Sequence, residues 1–174
     1  MNLQETYSIE DCEYYITGIN SNINDWVKTG NIAVTSDSNG VSITASGNTE
    51  YKAYLPVTIS GDSVFEIEYV SGYKKPIGCG IYQTDNYEIG WVTVRENTTN
   101  ILSHMGNSDV FPTTHKQIVV GDKFKIVYEE GYLKSYVNDE LIESVSKSLT
   151  NYKYGFYSRW NYLQTIKNIK IKPL

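Results

Sequence analysis

The sequence has too few cysteines for a disulfide framework, and the two it has, Cys12 and Cys79, are too far apart for a zinc knuckle. They read as free thiols with Cys79 in the interior, a single disulfide staying open if the N-terminal arm packs beside the Cys79 strand. Histidine is equally scarce. His104 and His115 have no Ser or Cys partner in a motif, and neither GxSxG nor HExxH occurs, so a charge relay has no basis. Basic residues are few and scattered, and the formal net charge is -5. Affinity for a phosphate backbone comes chiefly from clustered Lys and Arg, so nucleic acid is not an expected partner. No segment approaches the roughly eighteen consecutive apolar residues of a membrane span. The N-terminus also lacks the basic start and apolar run of a signal peptide. The chain reads as soluble, without membrane insertion, and an extracellular destination stays open. The 3.6-residue apolar repeat of an amphipathic helix is missing as well.

What is abundant favours strands. Sixteen tyrosines accompany many Thr, Val and Ile, and only four prolines interrupt them. The run from Lys123 to Ser144 reads as an antiparallel meander, because Phe124, Ile126 and Tyr128, then Leu133, Ser135 and Val137, then Leu141 and Glu143 alternate along it. Its turns fall at Glu130-Gly131 and Asn138-Asp139, residue types that tolerate the positive φ of short hairpin loops. Similar reasoning predicts strands at Asn31–Thr35, Val41–Ala45, Glu50–Leu55, Val64–Val70, Ile77–Gln83, Tyr87–Arg95, Asn100–His104, Tyr154–Trp160 and Thr165–Ile171. Met105 to Lys116 is the longest candidate loop. The lysines at 167, 170 and 172 suit a solvated edge position on the last strand. One domain is expected, with residues 1–24 as an N-terminal arm or closing strand and residues 25–174 as the body. The core should contain Phe65, Ile67, Phe124, Ile126, Val137, Phe156 and Ile171.

Two stretches, "DKFKIVYEEGYLKSYVNDELIES" and "YKYGFYSRWNYLQTIKNIKIKPL", resemble the late strands of concanavalin A-like jelly rolls. The earlier segments "DWVKTGNIAVTSDSNGVSITA" and "DSVFEIEYVSG" are similar to the front half of such domains, so the resemblance covers most of Asp25 to Leu174. It implies an all-β, two-sheet antiparallel sandwich. For a ligand it implies little, because the fold hosts lectins, hydrolases, adhesins and spacers.

Side-chain parity places the candidate site. With Ile77, Cys79 and Ile81 toward the core, Gly78, Gly80 and Tyr82 take the opposite face. With Phe156 in the core, Gly155, Tyr157 and Arg159 turn outward, and Trp91, Thr93 and Arg95 do the same opposite Val92 and Val94. Glycines clearing a trough between Tyr82, Trp91, Arg95, Tyr157 and Arg159 would suit a sugar, whose apolar face stacks on an aromatic ring while polar groups bond its hydroxyls. Jelly-roll glycosidases commonly carry Glu-x-Asp-x-x-Glu on one strand, and that pattern is missing; Glu66 and Glu68 alternate with Phe65, Ile67 and Tyr69 and read as a solvated face. No cofactor is expected. The resemblance leaves open a structural calcium at Asp25, Asp62 or Asp122, all of which equally suit turns.

The expectation from sequence is therefore a non-catalytic carbohydrate-binding module recognising a cell-surface or extracellular glycan, of the kind found in prokaryotic surface proteins and phage tail or baseplate proteins. Its partners would be a glycan or polysaccharide, and also other copies or virion and envelope proteins. It would be placed outside the cell, at a cell surface or on a virion. The alternative is a structural interaction module of a virion or envelope, and the third reading is a glycoside hydrolase or lyase with atypical catalytic residues.

Overall fold

The structure, a computed structural model, describes residues 11–73, 78–83, 88–94, 98–158 and 163–174. In chain order the strands are β1 (Tyr14–Ile16), β2 (Val27–Lys28), β3 (Ile32–Asp37), β4 (Gly40–Ala45), β5 (Tyr51–Tyr54), β6 (Ser63–Tyr73) and β7 (Gly78–Gln83). They continue with β8 (Glu88–Val94), β9 (Ile101–His104), β10 (Lys123–Glu129), β11 (Tyr132–Val137), β12 (Glu140–Ser146), β13 (Tyr152–Ser158) and β14 (Leu163–Pro173). Two antiparallel sheets result. The eight-stranded sheet runs β12-β11-β10-β6-β14-β4-β3, with β1 on β14, and the six-stranded sheet runs β2-β5-β13-β7-β8-β9. This is the expected all-β sandwich.

Its core follows from strict alternation on both inner faces. Phe65, Ile67, Phe124, Ile126, Val137 and Ile171 of one sheet, and Cys79, Ile81, Val92, Val94 and Phe156 of the other, are buried. Phe65 stacks on Tyr154 at 4.6 Å and meets Phe156 edge-on at 5.9 Å. Trp26 stacks on the same Phe156 at 5.6 Å and donates its indole N–H to the Tyr14 hydroxyl at 2.7 Å. The two hairpins of the meander turn where expected, with positive φ at Glu130 and Gly131 and again at Asn138 and Asp139.

Several expectations are corrected. The last strand is no edge: β14 lies between β6 and β4, and β1 extends it along Ile169 to Ile171. Its lysines neutralise carboxylates, Lys170 Nζ standing 2.9 Å from Glu66 and Lys167 Nζ 3.2 Å from Glu68. Glu66 and Glu68 are thus partly buried ion-pair partners and not a free solvated row. The stretch after β9 is a loop, as expected, and isolated bridges tie it back, Val110 to Ser103 and Gln117 to Asn100. Cys79 is a free thiol, and burial pushes its pKa up.

Candidate functional site

Register across the six-stranded sheet lines up one row on the face turned away from the core. Tyr54 of β5 pairs with Gly155 of β13, Gly155 with Gly80 of β7, Gly80 with Trp91 of β8, and Trp91 with His104 of β9. The middle of this row has no side chains of its own. The space is taken from the flanks. A methyl carbon at Gly80 would come within 2.7 Å of the Tyr82 hydroxyl, and one at Gly155 within 3.1 Å of the Tyr54 ring and 2.5 Å of the Ala53 carbonyl. Glycine is needed here because two phenol rings lie down over the strands, meeting edge-to-face at 5.3 Å.

Tyr82 and Tyr54 are consequently buried, and Tyr82 supports the face from within where the sequence had placed it at a trough wall. Trp91 keeps part of its indole exposed. It stacks on the His104 imidazole at 4.5 Å with planes 11° apart, and Tyr157 meets it edge-on at 6.4 Å. The structure therefore gathers Tyr82, Trp91 and Tyr157 on one face, and the proposed Arg95 and Arg159 lie outside the described residues.

Trp91 borders a cleft of about 390 Å³, lined also by Gln83, Glu88, His104, Asn107 and Lys147 among others. Of these six, Trp91 alone was a sequence candidate, and three of the other five escaped for identifiable reasons. Glu88 by simple alternation belongs opposite Trp91, but the β7–β8 register shifts so that Ile81 faces Gly90 while Tyr82 faces Glu88, which brings Glu88 beside the outer-face tyrosines. Asn107 and Lys147 arrive on connections, which carry no periodic signal.

The electrostatics of the cleft are mixed. Partial burial raises the Glu88 carboxyl pKa and Glu50 pushes the same way, while Lys52 and His104 pull it back. His104 Nδ1 lies 3.0 Å from Asp109 Oδ1, a His–Asp pair hidden from motif reading. Burial, reinforced by the Glu88 charge, pushes the Tyr54 phenol to about 12, and Tyr82 is raised well above its ordinary value by the same causes in the same order. Both are neutral phenols at physiological pH.

The segment that carries His104, Gly106 and Asn107 is held from the other sheet. The Glu143 carboxylate on β12 accepts the Ser103 hydroxyl at 2.8 Å and the backbone N–H groups of Met105 and Gly106 at 2.8 and 2.9 Å. The Ser135 hydroxyl completes the link by donating to Ser103 at 2.6 Å. A second polar knot lies at the far corner, where Asp122 accepts from Val119 N and Asn138 Nδ2 and stands 2.7 Å from His115 Nε2. That carboxylate is fully engaged by protein donors, and Asp62 accepts from the Glu130 N–H. Among the described residues no three His, Cys, Asp or Glu side chains gather as metal ligands.

No family model matches the sequence, and no curated protein matches it. Solved structures do match in fold. A protein of unknown function with a galectin-like fold from Bacillus subtilis superposes with a TM-score of 0.66 at 11% identity, over 92% of this chain and 95% of the other. The carbohydrate-binding module CBM66 from Bacillus subtilis gives 0.57 at 15% identity, over 85% and 95%. The alginate lyase from Corynebacterium sp. gives 0.62 at 14% identity, over 81% and 80%. The chain thus has the fold of the concanavalin A-like sandwiches. The expectation of a non-catalytic module is overturned at this point: a lyase shares the fold across four-fifths of this chain, so the architecture gives no ground for excluding catalysis. None of these three is described as a phage or virion protein, and that context finds no support.

Proposed function

We propose that this domain engages a glycan at the Trp91–His104 cleft on the outer face of the six-stranded sheet. One observation carries the reading: a partly exposed indole stands at a cleft whose remaining lining includes Gln83, Glu88, His104, Asn107 and Lys147. A pyranose presents apolar C–H groups on one face and hydroxyls around its rim, so it needs an aromatic edge or face beside several amides and charged groups. The cleft volume of about 390 Å³ is at the lower end of ligand sites and suits a short saccharide or one segment of a longer chain. The carbohydrate-binding module and the alginate lyase of the same fold support a saccharide over other ligand classes, as analogy. A glycan of a cell surface or of the extracellular medium is the partner this reading assigns.

Cleavage of the bound glycan is the second reading, and one observation favours it: Glu88, with its raised proton affinity, lines the same cleft as His104, which Asp109 holds. Such a carboxyl is suited to proton transfer near neutral pH. Release of reducing ends from an oligosaccharide, lost in Glu88→Gln, tests it.

The binding reading is tested by tryptophan fluorescence. Of the three tryptophans, Trp26 is buried and Trp160 lies outside the described residues, so the Trp91 variant assigns the signal. Titration with an oligosaccharide panel should give a saturable spectral change that Trp91→Phe removes; silence across the panel together with stable self-association would favour the interaction module.

A further inference from the structure

We infer that the hydroxyls of Tyr54 and Tyr82 form a buried hydrogen-bonding subsite at the foot of Trp91 that accepts a hydroxyl of a neutral saccharide and rejects a uronate carboxylate. This inference rests on the glycan reading of the cleft. Buried polar groups almost always have a partner, because a donor stripped of water and left unpaired costs the full desolvation penalty. Among the described residues, the buried side-chain oxygens without one are Tyr54 Oη and Tyr82 Oη. They are neighbours. Their rings touch edge-to-face, and the Tyr82 oxygen lies above Gly80, the position paired with Trp91. Two orphan hydroxyls on one face, beside a partly exposed indole, mark a place where the partner arrives from outside the chain.

The surroundings set the chemistry of that partner. Glu88 is opposite Tyr82 in register and its charge acts on both phenols, so a second carboxylate brought here would meet a like charge. Lys52, whose Nζ stands 5.0 Å above the Tyr82 ring, already offsets Glu88. A neutral hydroxyl meets no such penalty. It accepts from a phenol O–H and donates to the Glu88 carboxylate, which satisfies three groups at once. Tyr82 is fully covered in the structure, and the ammonium above its ring ends a flexible four-carbon side chain.

Tyr54→Phe and Tyr82→Phe remove only the oxygens. Calorimetric titration with neutral cello-, laminari-, manno-, xylo- and chito-oligosaccharides beside mannuronate, guluronate and galacturonate oligomers, with thermal melting of each variant, tests the inference. The expected result is wild-type binding to a neutral oligomer and not to uronates. Affinity should drop about tenfold in Tyr82→Phe, the loss of one buried hydrogen bond, with a melting temperature equal to or above that of wild type. Unchanged affinity in both variants overturns the subsite, as does preference for a uronate. A lowered melting temperature with intact affinity does so too, since the oxygens would then serve a structural water. If Trp91→Ala abolishes binding while the phenylalanine variants retain it, the cleft stands and the subsite falls; if the wild type binds no member of either panel, both fall.

Discussion

Replacing Glu143 by alanine tests whether the two sheets are joined through one carboxylate that also shapes the cleft. Its oxygens accept three hydrogen bonds from Ser103, Met105 and Gly106, on the segment that carries His104 and Asn107. Hydrogen bonds to charged groups contribute about 1.5–3 kcal/mol each when measured singly. The three share one side chain and do not add. Ser103 keeps Ser135 as a partner, whereas the buried Met105 N–H is left with none. A total near ~3 kcal/mol is therefore expected, which lowers Tm by roughly 6–12 °C in a domain of this size. Glu143→Gln, retaining one carbonyl oxygen as acceptor, should lose about half as much. Thermal melting by circular dichroism gives the first quantity. Hydrogen exchange gives the second, with the Met105 and Gly106 amides exchanging faster in Glu143→Ala while the β10–β11 hairpin is unchanged. An alanine variant that melts within about 2 °C of wild type and protects those amides equally would refute the reasoning.

Three further outcomes are expected. Cys79 is fully buried and its thiolate is disfavoured by desolvation, so a thiol reagent should label it only after denaturation, whatever happens at Cys12; labelling in native buffer would show that the interior opens. The Glu140 carboxylate is held from 4.5 down to about 2 by the Thr114 hydroxyl and the N–H groups of His115, Thr114 and Thr113. Its depressed pKa stabilises the fold above the unfolded value, and that contribution should fade as pH falls from about 4.5 through 2, a slope that Glu140→Gln should flatten in acid melts. Glu66→Gln and Glu68→Gln, singly or together, remove ion pairs on the sheet opposite the cleft and should leave glycan binding unchanged, at about 0.2–1 kcal/mol of stability each in denaturant titrations.

The strands and the core were legible because their signals are local. Period-two alternation marks Phe65 and Ile67 or Phe124 and Ile126 without knowledge of the partner strand, and the Asn138-Asp139 turn announces its own φ. Sheet order was not legible. The lysines of β14 look like edge protection until β6 and β4 are seen on either side, when they become partners for Glu66 and Glu68. In the site, parity placed Trp91 and Tyr157 on one face, since it needs only the inward direction of Val92 and Phe156. It failed for Glu88, where the register shift breaks the alternation. It also could not reveal that Tyr82 lies flat over Gly80, nor that Glu143 reaches residues forty positions away.

The central claim is that Trp91 belongs to a ligand site and not to the core, and Trp91→Ala decides it. The indole touches His104 and Tyr157 on the outer face, so its loss leaves the inter-sheet packing intact. Titration calorimetry of the variant against the oligosaccharide that binds the wild type should show at least about a thirtyfold loss of affinity, the usual weight of an aromatic anchor, with Tm lowered by only a few degrees. Undiminished binding by a folded variant, or the collapse in stability of roughly 3–5 kcal/mol that truncating a core aromatic produces, would contradict the account.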